Sequence, residues 1–519
     1  MKFLILILFI PFLIDAQEPL SSKVEIQLGT PYPVIDAEHY DYIFLGEGRS
    51  VAVKTYKNRV FVQVFDTKTV KELYMNVYTD FPKKIDHHEI LEINNKAYYV
   101  YSYYDKKTKY NKIAAREIRV SKGTLGSSKT LVSTKKRIWG LGIASFGSPI
   151  WGGYKLFKLI KSADESKFLI QYSNYNYKED TKHPFGFHVF DENLKTVWSE
   201  DKALLPYELI GTSFLGSTLS NTGNIYALVR TGIEGRFEIC SIDNNYRITK
   251  AKLDFPTTIY PVTAELKEDK DGNIICSILY EKDVKAIFMG RVLVQGFLCF
   301  KFNTEKELLA EVDTEFSLNF AKKYAPEEKK RSEKKKERYG IENLKLLEML
   351  TQKDGSIILV CEQQGANTSF GPSTSTSYDY DNIVLAKFNS DASLAWIKKI
   401  PKRQTEGDVL ADKSIKYIHA EGYHYVLYVD NLKNKTVEPN AVPALYKSEK
   451  DGFLTLCKID DATGEYEKYT VLNMKDIEGK VADKFSVNRL YAVDIKEQLF
   501  MMECYIKGKK DASVQIKLK

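Results

Sequence analysis

The feature that most constrains this chain is a turn that recurs. Asn221-Thr-Gly-Asn224, Asp271-Gly-Asn273, Asp354-Gly-Ser356 and Ala420-Glu-Gly422 are each followed by an apolar run. The runs are Ile225-Tyr-Ala-Leu-Val229, Ile274-Ile-Cys-Ser-Ile-Leu-Tyr280, Ile357-Ile-Leu-Val-Cys361 and Tyr425-Val-Leu-Tyr-Val429. Glycine in such turns supplies the positive φ that a tight hairpin requires. A second run then ends in Asp or Asn, as in Phe237-Glu-Ile-Cys-Ser-Ile242, Phe297-Leu-Cys-Phe-Lys-Phe302, Ile383-Val-Leu-Ala-Lys-Phe388 and Phe453-Leu-Thr-Leu-Cys-Lys-Ile459. A further outer strand follows each of these.

A four-stranded unit repeated along a chain reads as a propeller blade, about 40–50 residues plus loops. The glycine markers stand 49, 83 and 67 residues apart, and the wider gaps hold a charged insert and a Ser/Thr-rich stretch. Blade-like units fall near 40–81, 87–133, 157–202, 207–256, 261–316, 341–400, 413–473 and 485–519. The last shows only three strands. The strand Val24-Glu-Ile-Gln-Leu28 has no unit of its own and is expected to pair with Val514-Gln-Ile-Lys-Leu518, closing the ring and removing open edges. The fold expected is therefore all-β, a β-propeller of eight blades, with seven as the alternative. Composition agrees: 34 Tyr and 27 Phe favour strands, and 44% hydrophobic with 28% charged residues excludes wholesale disorder.

The first residues read as a targeting signal. Lys2 precedes an apolar run from Phe3 to Ile14, and Ala16 offers a small residue for cleavage. The run is shorter than the roughly 20 residues that span a bilayer. The expected organisation is a signal peptide over 1–16 and one propeller domain over 17–519. No Cys precedes Cys240, so no lipoprotein anchor is expected, and no later apolar stretch reaches membrane length. The six cysteines, Cys240, Cys276, Cys299, Cys361, Cys457 and Cys504, sit inside apolar strand patterns with no Cys-x-x-Cys. Buried free thiols acting as small hydrophobes are favoured over disulfides.

The net charge of +7 is largely local. Residues 321–340 hold nine Lys/Arg and four Glu, a local excess of five. A nucleic-acid partner is not expected, because that needs a basic face spread over the domain. The blocks of alternating sign over 322–338 read as a solvated insert between two blades.

Residues 137–154 differ from the rest, with two of the four Trp and five Gly. Strands do not need so many glycines, and exposed loops in water seldom keep two Trp. Trp139, Phe146, Trp151 and Tyr154 are therefore the candidate partner-binding residues, and a plug docked on the ring's own face is the equal alternative.

Motifs for chemistry are missing. His87-His88-Glu89 lacks the later His of a zincin, and the pairs His183/His188 and His419/His424 are expected to alternate faces of a strand. No nucleophile elbow, phosphate loop or calcium loop occurs. No catalytic residue, metal ligand or cofactor is expected. Carboxylate pairs for glycoside hydrolysis are set by spatial separation and leave no spacing to read.

Gly29-Thr-Pro-Tyr-Pro-Val34, Ala115-Arg-Glu-Ile118, Leu205-Pro-Tyr-Glu208, Cys361-Glu-Gln363 and Trp396-Ile-Lys-Lys-Ile-Pro-Lys402 resemble segments of uncharacterised exported β-propeller-like proteins of Bacteroidota. The resemblance covers most of the chain but rests on strand and turn segments, and it carries no catalytic residue over. It implies an exported protein, placed in the periplasm over the cell surface or the medium. The expected role is a non-catalytic scaffold or binding propeller with an envelope protein partner, in an outer-membrane complex. The alternative is a glycan-active enzyme or glycan-binding protein using the central channel mouth.

Overall fold

The computed structural model describes residues 23–135, 138, 156–173, 182–208, 212–231, 236–253, 259–282, 292–325, 339–369, 375–406, 414–436, 441–447, 452–473, 482–484, 489–506 and 508–519. It is an all-β ring of eight blades, each an antiparallel meander running outward from an inner strand. The blades span 39–78, 87–134, 158–208, 212–253, 260–315, 344–400, 416–473 and 482–518, within a few residues of the sequence expectation except where blade 3 runs further. Val24–Leu28 pairs antiparallel with Lys510–Leu518, Val24 opposite Leu518 and Leu28 opposite Val514, and completes blade 8. The expected ring closure is therefore present, and the eight-blade count stands over seven.

The middle strands explain why the apolar runs are continuous and not alternating. In Ile274–Glu281 of blade 5 every residue is buried. Successive side chains of a strand point to opposite faces, and both faces of a blade are covered by neighbours. Ile274, Cys276 and Ile278 pack towards blade 4, while Ile275 and Leu279 pack towards blade 6. The core is thus eight apolar seams, one between each pair of consecutive blades. All six cysteines are buried in this way and free.

The glycine turns take the conformation expected of them. Gly223, Gly272, Gly355 and Gly422 have φ between +78° and +91°. The charged insert leaves the ring between blades 5 and 6, but its first residues are docked. Leu318–Lys322 forms a short helix capped by Ser317, and Ala321 and Tyr324 are buried. Lys399 Nζ donates to the Ala321 carbonyl at 2.9 Å. The reading of 322–338 as solvated from its first residue is corrected here: Tyr324 supplies apolar burial that the Lys/Glu blocks do not. Residues 326–338 lie outside the described residues. Among the described residues no helix is long and apolar enough to cross a membrane.

Candidate functional site

An antiparallel meander sorts its connections onto two ends. Turns between the first and second and between the third and fourth strands share one face of the ring. Connections between the second and third strands, and between blades, share the other.

The tight-turn face is stitched from blade to blade. The Asn94 amide donates to Glu165 Oε2 at 3.0 Å, the Asp164 amide to Asn221 Oδ1 at 2.9 Å, and the Asn221 amide to Glu268 Oε2 at 2.6 Å. Burial pushes the Glu268 carboxyl up to about 7. At the seam between blades 6 and 7, Asp461 accepts from Lys387 Nζ at 2.6 Å and from Gln352 Nε2 at 2.8 Å. His424 Nε2 lies 2.8 Å from Asp461 Oδ1, and its Nδ1 lies 2.8 Å from the Tyr417 hydroxyl. Burial holds His424 neutral, down at about 4. A neutral ring beside a carboxylate donates from Nε2, so Nδ1 accepts from Tyr417. This chain holds blades together.

The opposite face carries the long connections, including the 20 residues between Tyr423–Asn431 and Gly452–Asp460. The candidate partner residues Trp139, Phe146, Trp151 and Tyr154 belong to the connection from blade 2 to blade 3, and all four lie outside the described residues. At its margins Ile138 and Phe157 are buried in the seam between those blades.

The same face holds a cleft of about 550 Å³ between blades 1 and 2. Its inner wall comes from the first residues of two inner strands, His39 and the pair His87-His88. The His39 and His88 rings meet edge to face at 4.8 Å, and His88 stacks on Tyr99 at 5.4 Å. Burial first, then the neighbouring His39 and His87, keeps His88 down at about 4, so it is neutral at physiological pH. Tyr99 is fully buried, and burial with the nearby Asp41 raises its hydroxyl far above the tyrosine range. Among the described residues the Tyr99 hydroxyl and His87 Nε2 have no hydrogen-bond partner. The rim carries Lys57, Arg59, Lys83 and Lys84 against Glu38 and Asp86. Lys84 pairs with Asp86 at 3.4 Å. Lys57, Arg59 and Lys83 form no ion pair among the described residues.

A second cluster lines the ring axis. Asp41, Glu92, Lys161, Glu265, Glu348 and Lys416 all sit on inner strands. Burial raises the Glu92 carboxyl, and Lys161 and Lys416, from blades 3 and 7, oppose it. Lys416 of blade 7 thus acts on Glu92 of blade 2. Burial likewise raises Glu265 and Glu348 and lowers Lys416. The channel is thus lined by carboxylates interleaved with lysines.

The structure regroups the histidines. His419 and His424 were expected on opposite faces, yet they are direct cross-strand partners with rings stacked at 5.4 Å. The hairpin at Glu421-Gly422 folds them together, so the turn itself was the overlooked signal. His39 joins His87 and His88 only through packing of one blade on the next, and no local pattern could have shown it. His183 lies outside the described side chains. Among the described residues, no group of three or more His, Cys, Asp or Glu has metal-holding geometry.

No family model matches the chain, and no curated protein matches it. Solved structures similar to it include the β-propeller domain of the Trilobed protease from Pyrococcus furiosus, at 12% identity over 84% of this chain and 99% of that one, TM-score 0.36. The Dos1 propeller is similar at 10% identity, covering 76% of each chain, TM-score 0.32. A chain from a structural and mechanistic study of two prolyl endopeptidases is similar at 10% identity over 94% of this chain, TM-score 0.39. This chain spans 55% of that endopeptidase chain. At such identities the likeness concerns the fold alone.

Proposed function

We propose that the protein is an exported, non-catalytic binding propeller of the periplasm, a scaffold or subunit of a cell-envelope assembly that engages its partner through the long-connection face. The observation that carries this reading is the contrast between the two faces. One is closed on itself by turn-to-turn hydrogen bonds, from Asn94 round to Asp461. The other offers long connections and a cleft on a rigid ring, the arrangement that suits recognition. Export rests on the leader pattern of residues 1–16 and on the resemblance to exported Bacteroidota proteins. The test is a pull-down of tagged protein from native membranes. A stoichiometric envelope protein, lost on changing Trp139 and Trp151 to Ala while the melting temperature holds, is the expected result. Recovery of the chain alone overturns the reading.

A second reading has its own support. Burial raises the Glu92, Glu265 and Glu348 carboxyls on the inner strands, and an upward shift is the direction that suits a general acid on a glycosidic bond. Release of reducing ends from envelope polysaccharide, abolished by Glu92→Gln or Glu348→Gln, would favour this enzyme.

A further inference from the structure

We propose that the cleft between blades 1 and 2 binds a small ligand bearing an oxyanion, a carboxylate or a phosphate, held by Arg59, Lys83 and Lys57 at the rim and by the hydroxyl of Tyr99 at the base. This inference deepens the reading of the protein as a binding propeller and rests on it.

Three observations carry it. The first is size: about 550 Å³ lies within the range of pockets that enclose small molecules. The second is charge. The rim includes Lys57 and Arg59, which flank the tight turn at Asn58, and Lys83 on the connection into blade 2. None of the three has a carboxylate partner among the described residues. Glu38 and Asp86 also line the cleft, but Asp86 is taken up by Lys84. The excess at the rim is therefore cationic, and arginine with lysine is the set that recognises carboxylate and phosphate.

The third observation is the base. A tyrosine hydroxyl buried without a partner is destabilising, because it gives up its bonds to water for nothing. Tyr99 carries such a hydroxyl. Its environment keeps it protonated, so it is a donor in need of an acceptor. None of its described neighbours accepts from it: the ring is flanked by His88, Phe81 and Tyr101 in ring-to-ring contacts, and Asp41 acts on it without a hydrogen bond. The half-buried His88 ring stacks on Tyr99, and both line the cleft. An anionic oxygen would then satisfy the donor at the base while its charge is met at the rim. A neutral ligand would leave the rim cations uncompensated, and a cation would be repelled by them.

The test uses the full-length mature protein and isothermal titration calorimetry at constant ionic strength. The probes are glucuronate, glucose 6-phosphate and neutral glucose, which separate carboxylate, phosphate and no anion on one ring. The expected result is binding of one anionic probe and no heat from glucose. Arg59→Gln with Lys83→Gln should weaken that probe about tenfold or more, which is roughly 1.4 kcal/mol. Tyr99→Phe should weaken it several-fold while the melting temperature is held or raised, because the orphan hydroxyl is gone. Phe keeps the apolar ring, so this variant remains folded and informative. Glucose bound as well as glucuronate, an unchanged affinity in the double variant, or no anion bound at about 10 mM, a free energy weaker than roughly 3 kcal/mol, would each overturn the proposal. The pull-down separates the two ideas. An envelope partner retained by a protein that binds neither anion leaves the scaffold reading standing and removes this ligand.

Discussion

Two seams flank blade 8, and they are built differently. The seam with blade 7 is apolar, with 18 buried hydrophobic residues that include Leu427, Phe500, Met502 and Ile516. The seam with blade 1, where the two ends of the chain meet, holds seven among the described residues: Tyr32, Ala52, Phe65, Val70, Tyr491, Val493 and Met501. Beside them is a buried ionic cluster. Lys54 Nζ lies 2.7 Å from Glu503 and 3.6 Å from Asp511, and Arg489 reaches the same two carboxylates at 3.1 and 3.5 Å. Tyr32 and Tyr42 donate to the Glu503 oxygens at 2.6 and 2.9 Å. Apolar packing tolerates a shifted register, whereas a buried carboxylate with four named partners accepts one docking only. The closing seam, where the chain crosses only from its own N-terminal strand in blade 8 into blade 1, is thus the one that specifies its geometry by charge.

The comparison can be broken most forcefully at the strand that closes the ring. Deleting Lys23–Leu28 uncovers Val514, Ile516 and Leu518, which are now buried. Each aliphatic side chain returned to water costs roughly 1.5–3 kcal/mol. Thermal unfolding should show a melting temperature well below that of the intact protein. Equal melting would mean that this strand does not hold the ring shut.

The next effect separates charge from packing. Glu503→Ala takes from Lys54 and Arg489 the nearer of their two shared carboxylates and leaves them the more distant Asp511, and removing one member of a buried pair costs about 3–5 kcal/mol. Leu427→Ala in the apolar seam should cost a comparable amount, about 2–5 kcal/mol. The two differ in salvage: adding Lys54→Met to Glu503→Ala should recover much of the loss. Chemical denaturation that shows no recovery would refute the ionic account.

The smallest effect has the opposite sign and depends on pH. Burial works against the Glu503 charge, but Lys54 and Arg489 outweigh it and hold that carboxyl below its ordinary range. Burial, and then the adjacent Glu503 charge, push Asp511 up to about 6. A raised carboxyl stabilises the fold below its unfolded value and loses that contribution as pH rises through 6. A lowered one loses its contribution as pH falls. The closing seam should therefore be strongest in mild acid, with Glu503 ionised and Asp511 protonated. Asp511→Asn should match the parent near pH 5 and exceed it by on the order of 2 kcal/mol at pH 8. Equal stability at both pH values would show that Asp511 is charged throughout.

These residues also mark what was legible. By itself the sequence determined the meander and the closing strand, and it put the blade count at eight with seven left open. Those depend on local signals: glycine at positive φ in Gly223, Gly272, Gly355 and Gly422, and runs apolar on both faces. Each is written within one unit, and repetition makes it readable. Only the tertiary structure decided which groups meet across a seam. Lys54 and Glu503 are 449 residues apart and touch because the ring closes. His39 meets His88, and Lys57 and Arg59 share a cleft with Lys83, because blade 2 packs on blade 1. Strand periodicity sets the direction in which a side chain points, but the partner it finds there belongs to another blade, and no spacing along the chain encodes that pairing.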